Sequence, residues 1–592
     1  MVYQGKPSKG CQMCRSRRIK CQKSRRQCPG YKDEFDLVFR NETQATERRA
    51  QRASKKAQAK KAKKGGSPST SSLPESSLMP VKSESSSPAS QISSSSWSYS
   101  PIPPRPPLPA KHPVPINSLW RTPQLGVDDQ AACFFISNYV LIPQQGSTRG
   151  FLEYVVPILT EGHVSAPFKQ AFDACALATL ANHLSLAADL EKRALQKYTQ
   201  ALSLVSRALR NPESRLQDST LAAVLLLGLF ENVTAQQPAM FAWGSHIEGA
   251  VQLVEGRGPE QFQTKIGIAM FIAVRTQMII HTLSTAKLPK SGLGWWAKDE
   301  AVRNKYASQC QELGLCIGDI KAKVNRLMQS LPRNKDSIEA MKDLIKQAQA
   351  VDRRCLAWAE SLPSHFRYNA VHIEEYDRHC DHTKAEIFPG RVDAYQDLWI
   401  ASIWNMMRCS RIILASTVVR CTAWICSPID YRTTPEYIEA AKMCIETIED
   451  IIASVPYQLG WFSSRKFLLQ HPSLSQFACG VEETPKSLAG YFLAWPLALV
   501  QGQDYTTELQ RAWVKQRLVY IGKELGVRSA LMLSELRIRT PSMLIKKDGQ
   551  INQTPPFSTV AVQAASSNDA LSRLDEAYKR GIITESQIAQ MM

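Results

Sequence analysis

The sequence predicts a mostly α-helical protein, in which a small cysteine-bearing segment and a long unstructured connection precede one large helical domain. Three observations predict it. Beyond about Leu125, apolar residues recur at three-to-four spacing with hardly any strict alternation, which favours helices over strands. Ser67 to Pro115 contains 17 serines and 12 prolines, a composition that cannot bury enough apolar surface to offset chain entropy. Gly10 to Tyr31 packs four cysteines and seven Lys/Arg residues into a stretch with almost no apolar side chains.

That stretch reads GCQMCRSRRIKCQKSRRQCPGY, and something other than a core must fold it. At this size the usual solutions are disulfides or a metal. Cys11 and Cys14 have the C-x2-C spacing that lets two thiolates grip one ion at the start of a short helix, and Cys21 and Cys28 can complete a tetrahedral sulfur site. Zinc is the expected occupant, because soft thiolates in a closed site favour it, and its binding contributes roughly 10–16 kcal/mol of folding free energy at neutral pH. Arg15, Arg17, Arg18 and Lys20 precede Cys21, and Lys23, Arg25 and Arg26 follow it. A metal-pinned helix with this row of donors suits the major groove of double-stranded DNA, where Arg or Lys reaches guanine O6 and N7 and the remaining charge displaces phosphate counterions.

The run from Cys11 through Arg17, Arg18 and Lys20 to Cys21, with Cys28-Pro29-Gly30-Tyr31 behind it, resembles the fungal zinc-binuclear-cluster transcription factors, in which six cysteines hold two zinc ions. The resemblance implies a nuclear, sequence-specific DNA-binding regulator of RNA polymerase II transcription. It gives Arg17, Arg18 and Lys20 the contacts to short GC-rich half-sites, with transcription machinery or co-regulators as further partners. This chain departs from the pattern: after Cys21 it runs through six residues directly to Cys28. By its trailing residues Cys28 looks like the family's last cysteine; by spacing it passes for the fourth. Either way two ligands are absent, and four sulfurs satisfy one ion. The expectation is that a segment with a second C-x2-C is missing after Cys21, through internal deletion, alternative splicing or a mistaken gene model.

Charge sharpens the division of the chain. The net charge is +20, and residues 1–64 carry 20 Lys/Arg against 5 Asp/Glu, or +15, which leaves +5 for the other 528 residues. The basicity is therefore a local device for a polyanion. Of the 15 cysteines, 11 lie outside the segment, scattered singly, and read as reduced, buried thiols. No apolar signal-type run follows the first methionine, and the longest apolar run, Leu221 to Phe230, is shorter than the ~18–20 residues that span a bilayer. A soluble intracellular protein with no membrane partner is expected.

Taken in order, residues 1–40 form the truncated zinc-cluster segment, and Asp33 to Arg40 resembles the acidic-aromatic sequence that follows the last cysteine in part of that family. Residues 41–66 form a basic arm whose pairs Arg48-Arg49, Lys55-Lys56, Lys60-Lys61 and Lys63-Lys64 read as a nuclear import signal and phosphate-contacting arm, or as a solvated helix face. No apolar heptad runs through it, so a coiled-coil dimer is unsupported and dimerisation stays open. Residues 67–124 are the disordered linker, and 125–592 the helical domain.

Within that domain, Leu195, Tyr198, Leu202, Val205 and Leu209 share one predicted helical face, as do Ile338, Met341, Leu344, Ile345, Val351, Cys355 and Trp358. Thr434-Pro435-Glu436 is a helix start, with Ile438, Ala441, Ile445, Ile448 and Ile452 behind it. Turns are expected at Ser427-Pro428, Pro541 and Pro555-Pro556, and a C-terminal helix over Asp569 to Met592. Trp243 to Ala250 with Gly256-Arg257-Gly258 resembles a recurring stretch in the regulatory domain of the same factors; its His246 reads as a packed, hydrogen-bonded imidazole rather than a ligand. His372, His379, Cys380, Asp381 and His382 crowd one polar region, but neighbours in sequence rarely converge on one ion. No H-E-x-x-H, nucleophile elbow, Walker loop or dinucleotide fingerprint occurs, so an enzyme reading has no positive support. The competing reading is an interaction protein that no longer reads DNA and acts through its helical domain.

Overall fold

The computed structural model describes residues 125–143, 149–184, 188–235, 239–297, 304–330, 332–469, 473–480, 485–536 and 541–547. Among them are sixteen α-helices and four short strands, so the mostly helical expectation holds for this part of the chain. The cysteine segment, the basic arm, the Ser/Pro-rich linker, Pro555-Pro556 and the helix expected over Asp569 to Met592 lie outside the described residues.

The first six helices form one layered group. Helix α1 (Val127–Tyr139) packs on α3 (Ala166–His183), and the short α2 (Val155–Thr160) lies between them in sequence. Helix α3 begins with a proline in its first turn, where a missing N–H costs nothing. It packs against α4 (Ala188–Arg210) and α5 (Asp218–Thr234), and α5 packs in turn on α6 (Ala239–Arg257). Leu221 to Phe230 is buried throughout along α5, as expected of a helix apolar on every side.

Helix α4 corrects one expectation. Its buried residues are Ala194, Ala201, Val205 and Ala208, whereas Leu195 is 50% and Leu209 40% exposed. The buried side is carried by three alanines and Val205, and small side chains let α4 approach its neighbour α3 closely. A reading weighted toward large side chains puts the centre of the face on the flanking leucines instead.

The next helices supply the rest of the core. Helix α7 (Lys265–Thr285) is capped by Thr264, whose side chain accepts from the Gly267 N–H, and the one-turn α8 (Leu293–Trp296) buries Trp296. Helices α9 (Lys305–Ser330) and α10 (Lys335–Ser361) pair with each other. In α10 the expected face is buried from Met341 to Trp358, with Ile338 packed at its margin. Its start is a capping box: the Asn334 side chain accepts from the Ser337 N–H at 2.9 Å, and the Ser337 hydroxyl accepts from the Asn334 N–H at 2.9 Å.

Helix α11 (Leu398–Cys426) is buried along most of its 29 residues and lies against α9, α10 and α12 (Pro435–Gln458). Its cap is the fully buried Asp397, which accepts from the Ile400 N–H at 2.7 Å and from the Ser475 hydroxyl at 3.0 Å. Ser427-Pro428 separates α11 from α12 as expected, and Thr434 caps α12 with Pro435 in its first turn. Ile438 departs from the expected face: it is 44% exposed, and Tyr437, Ala440, Cys444 and Ile451 carry the packing with Ala441, Ile448 and Ile452. Helices α7 and α11 are long and apolar enough to cross a membrane, but 67% and 72% of their apolar windows are buried inside the protein, which accounts for their composition.

Helices α13 (Ser487–Gln501), α14 (Glu508–Lys523) and α15 (Ser529–Glu535) form a final packed set, and Pro541, expected in a turn, opens α16 (Pro541–Lys547). The strands make two antiparallel pairs: β1 (Leu141–Pro143) with β4 (Ser475–Phe477), and β2 (Asn369–Glu374) with β3 (Gly390–Ala394). The 11 cysteines among the described residues are free thiols; Cys175, Cys310, Cys355, Cys409, Cys421 and Cys444 are buried, but Cys133, Cys380 and Cys479 are exposed, against the expectation of uniform burial.

Candidate functional site

The residues expected to hold zinc (Cys11, Cys14, Cys21, Cys28), to meet DNA (Arg15, Arg17, Arg18, Lys20, Lys23, Arg25, Arg26) and to direct nuclear import (Arg48 to Lys64) all lie outside the described residues. The geometry on view is that of the helical domain, where two places hold buried polar groups beside open space.

The first is the stretch from Trp243 to Gly258, which begins within α6. Gly244 faces His281 of α7, where an added Cβ would stand 3.4 Å from the imidazole Nε2, in contact with it. His246 lies 3.4 Å through its Nε2 from the Tyr198 hydroxyl, which donates a short hydrogen bond to Glu231 and whose ring stacks on Phe230 at 4.3 Å between centroids. Burial pushes the Glu231 carboxyl up to about 7, with the Tyr198 hydrogen bond acting against it, and pushes His246 down to about 4. His246 is thus a neutral ring in a hydrogen-bonded packing position.

The second is a cavity of about 270 Å³ bounded by α5, α6, α7, α9, α11, α13, α15 and the segment before α2. Its walls are mainly apolar, among them Leu225, Leu229, Ile272, Ile280, Met406 and Phe492. Arg275, on α7, is 3% exposed; its Nη1 donates to the Trp296 carbonyl and its Nη2 to the Ser308 hydroxyl, each at 3.2 Å. Gln311, on α9, donates through its amide to the Thr276 hydroxyl at 2.6 Å. Arg149 donates to the Ala269 carbonyl at 3.0 Å. Among the lining residues are two arginines but no Asp, Glu or Lys. Nothing in the sequence pattern singles out Arg149, Arg275 or Gln311, because their common setting depends on segments far apart in the chain.

A third polar region is neutralised from within. Arg408 of α11 donates to the Tyr395 hydroxyl at 2.7 Å and to the side-chain Oδ1 of Asn405 at 3.1 Å, and lies 3.7 Å from Asp393 and 3.9 Å from Asp450. Arg391 forks onto Asp393 at 2.7 and 3.1 Å. Two cations face two carboxylates at the junction of β3, α11 and α12, an arrangement that serves packing.

The His/Cys/Asp cluster does not converge. His372 pairs with Glu374 at 3.0 Å and lies by the Trp461 ring, His382 bonds the Asp377 backbone carbonyl at 2.6 Å, and Cys380 donates to the Asp377 carboxylate at 3.1 Å. Asp381 accepts from the Thr383 hydroxyl at 2.5 Å and pairs with Lys384 at 2.9 Å. Among the described residues no three His, Cys, Asp or Glu side chains are grouped to hold a metal ion.

The sequence profile of the family described as "Fungal specific transcription factor domain" matches residues 134–456, more than half of the chain. That span runs from within α1 nearly to the end of α12 and includes Arg149, Arg275 and Gln311, whereas α13 to α16 lie beyond it. The curated relative "Transcription factor dbaG" of Emericella nidulans is 21% identical over 416 residues, covering 69% of this chain and 91% of its own length. No solved structure matches the chain.

Proposed function

Because the chain belongs to the fungal specific transcription factor domain family, and is therefore a regulator of transcription in a class that is generally nuclear and non-enzymatic, we propose that it is a zinc-dependent, sequence-specific DNA-binding regulator of RNA polymerase II transcription. One observation carries the finer part of this reading: the string from Cys11 to Tyr31 stands ahead of the matched domain, the order in which the family it resembles links finger and regulatory domain. Cys11, Cys14, Cys21 and Cys28 would hold a single zinc, since a set of four thiolates suits one tetrahedral ion. When bound, zinc supplies the folding free energy that so short a segment lacks. Arg17, Arg18 and Lys20 then reach base edges, Arg15, Lys23, Arg25 and Arg26 add phosphate contacts, and the paired lysines and arginines from Arg48 to Lys64 serve nuclear import. The helical domain connects the DNA-bound segment to co-regulators.

The test uses the full chain with metal analysis and DNA binding side by side. We expect at most one zinc per chain, and Arg18→Ala to lower the ratio of target to scrambled-duplex affinity by about 1–3 kcal/mol. Two zinc ions would overturn the ligand count. Sequence-specific binding undiminished after thorough chelation would overturn the zinc dependence.

A second reading is favoured by the two ligands missing from the six-cysteine pattern: the segment has lost DNA recognition, and the protein acts through its helical domain by occupying partners. It expects no zinc and no discrimination between duplexes. Genomic and transcript sequence across Cys21–Gln22 separates the causes, since uninterrupted coding sequence in both rejects splicing and a mistaken gene model.

A further inference from the structure

We propose that the cavity between α5, α7, α9, α11 and α13 binds a small organic monoanion with an apolar body, a carboxylate in class, and that Arg275 is the cation that anchors its head group.

Charge is the first argument. Burying a cation without a counter-ion is costly, and three other buried or half-buried arginines of this protein face carboxylates. Arg408 faces Asp393 and Asp450, Arg411 pairs with Asp352 at 2.7 Å, and Arg257 pairs with Asp218. Arg275 is as deeply buried, yet among the described residues no carboxylate pairs with it. Its neutral partners occupy one N–H on each Nη, its Nε has no partner among the described residues, and the Phe271 ring lies 5.4 Å from the guanidinium. Burial, with Arg149 as a lesser cause, pushes Arg275 down to about 10, still protonated at neutral pH. Arg275, with no carboxylate paired to it among the described residues, disfavours a cationic ligand and leaves a neutral one with nothing to offset its charge.

Hydrogen bonding is the second. Trp243 and Tyr154 line the same cavity; the indole Nε1 and the phenol hydroxyl are sequestered donors with no partner among the described residues, and a turn of either ring would bring a donor to an oxyanion. The mainly apolar remainder of the wall requires that the rest of the ligand be apolar. The volume of about 270 Å³ has room for on the order of twenty heavy atoms, which suits a small molecule and is too little to enclose a folded nucleic acid, a long peptide or a two-chain lipid.

The inference does not rest on DNA recognition. If the regulator reading holds, the anion is the effector that the helical domain senses; if it fails, the cavity still binds. The experiment therefore measures binding directly, by calorimetry on the full chain, with 1-naphthaleneacetate and its neutral isostere 1-naphthaleneacetamide as probes. The acetate is expected to bind at least about tenfold more tightly than the amide. Arg275→Met is expected to bring the two affinities together and, in the ligand-free protein, to raise the melting temperature, because it removes a buried cation with no counter-ion. A residue present only to hold the fold would lower it. Leu229→Phe, which narrows the cavity and leaves Arg275 in place, is expected to weaken both probes, and it decides the location if Arg275→Met does not fold. Equal affinities in the unaltered protein, saturable binding of neither probe, discrimination that survives Arg275→Met, or binding indifferent to Leu229→Phe would each overturn the proposal.

Discussion

Glu231 is 6% exposed and sits among apolar side chains of α5, with the Tyr198 hydroxyl as its hydrogen-bond donor. Folding moves its ionisation from about 4.5 to about 7, and burial is the larger cause. The raised value means that between those pH values the folded protein keeps a proton that the unfolded chain has lost. Stability therefore falls as pH rises across that window, by up to about 3 kcal/mol, and levels off above it. His246 acts on the opposite side: its value drops from 6.5 to about 4, so stability falls as pH drops through that interval. Glu231→Gln keeps an acceptor for Tyr198 and removes the titration. Urea unfolding at pH 5 and pH 8 should show a smaller loss of stability toward pH 8 in this variant than in the parent; an unchanged difference would mean that Glu231 is already neutralised in another way.

At the scale of elements, α7 and α9 show what small residues do at a helix crossing. Gly318 of α9 faces Thr282 of α7, where an added Cβ would stand 2.7 Å from the threonine Cγ2, closer than packed side chains approach. Gly318→Ala should therefore cost about 1–3 kcal/mol through overpacking, read as a lower denaturant midpoint with unchanged slope. An unaffected midpoint would mean that α7 and α9 slide apart without loss. The sequence made several elements legible for definable reasons. The start of α12 is written in Thr434-Pro435, and the buried side of α10 in large apolar residues at helical spacing. The buried side of α4 escaped such reading because alanines carry it, and the polar groups of the cavity escaped because Arg149, Arg275 and Gln311 meet only through tertiary packing. Short strands such as β1 and β4 leave no periodicity to read at three residues each.

At the scale of the whole molecule, positive charge is separated from the apolar core along the chain: +15 falls in residues 1–64, and +5 in all that follows. If the N-terminal arm and finger share the work of holding DNA, the arm contributes charge without sequence information, and its loss should alter salt dependence rather than discrimination. Replacing Lys55, Lys56, Lys60 and Lys61 with glutamine in the full chain removes four charges and leaves Arg17, Arg18 and Lys20 in place. Every lysine–phosphate pairing removed should reduce the slope of log affinity against log salt by about 0.9, so the four together should reduce it by up to about 3–4. Target and scrambled duplexes should weaken by the same factor, because the arm reads neither. An unchanged slope would place the phosphate-binding charges elsewhere and leave these lysines to nuclear import alone. A selective loss on the target duplex would instead make the arm part of the base-reading surface, and Arg17, Arg18 and Lys20 would no longer account for specificity by themselves.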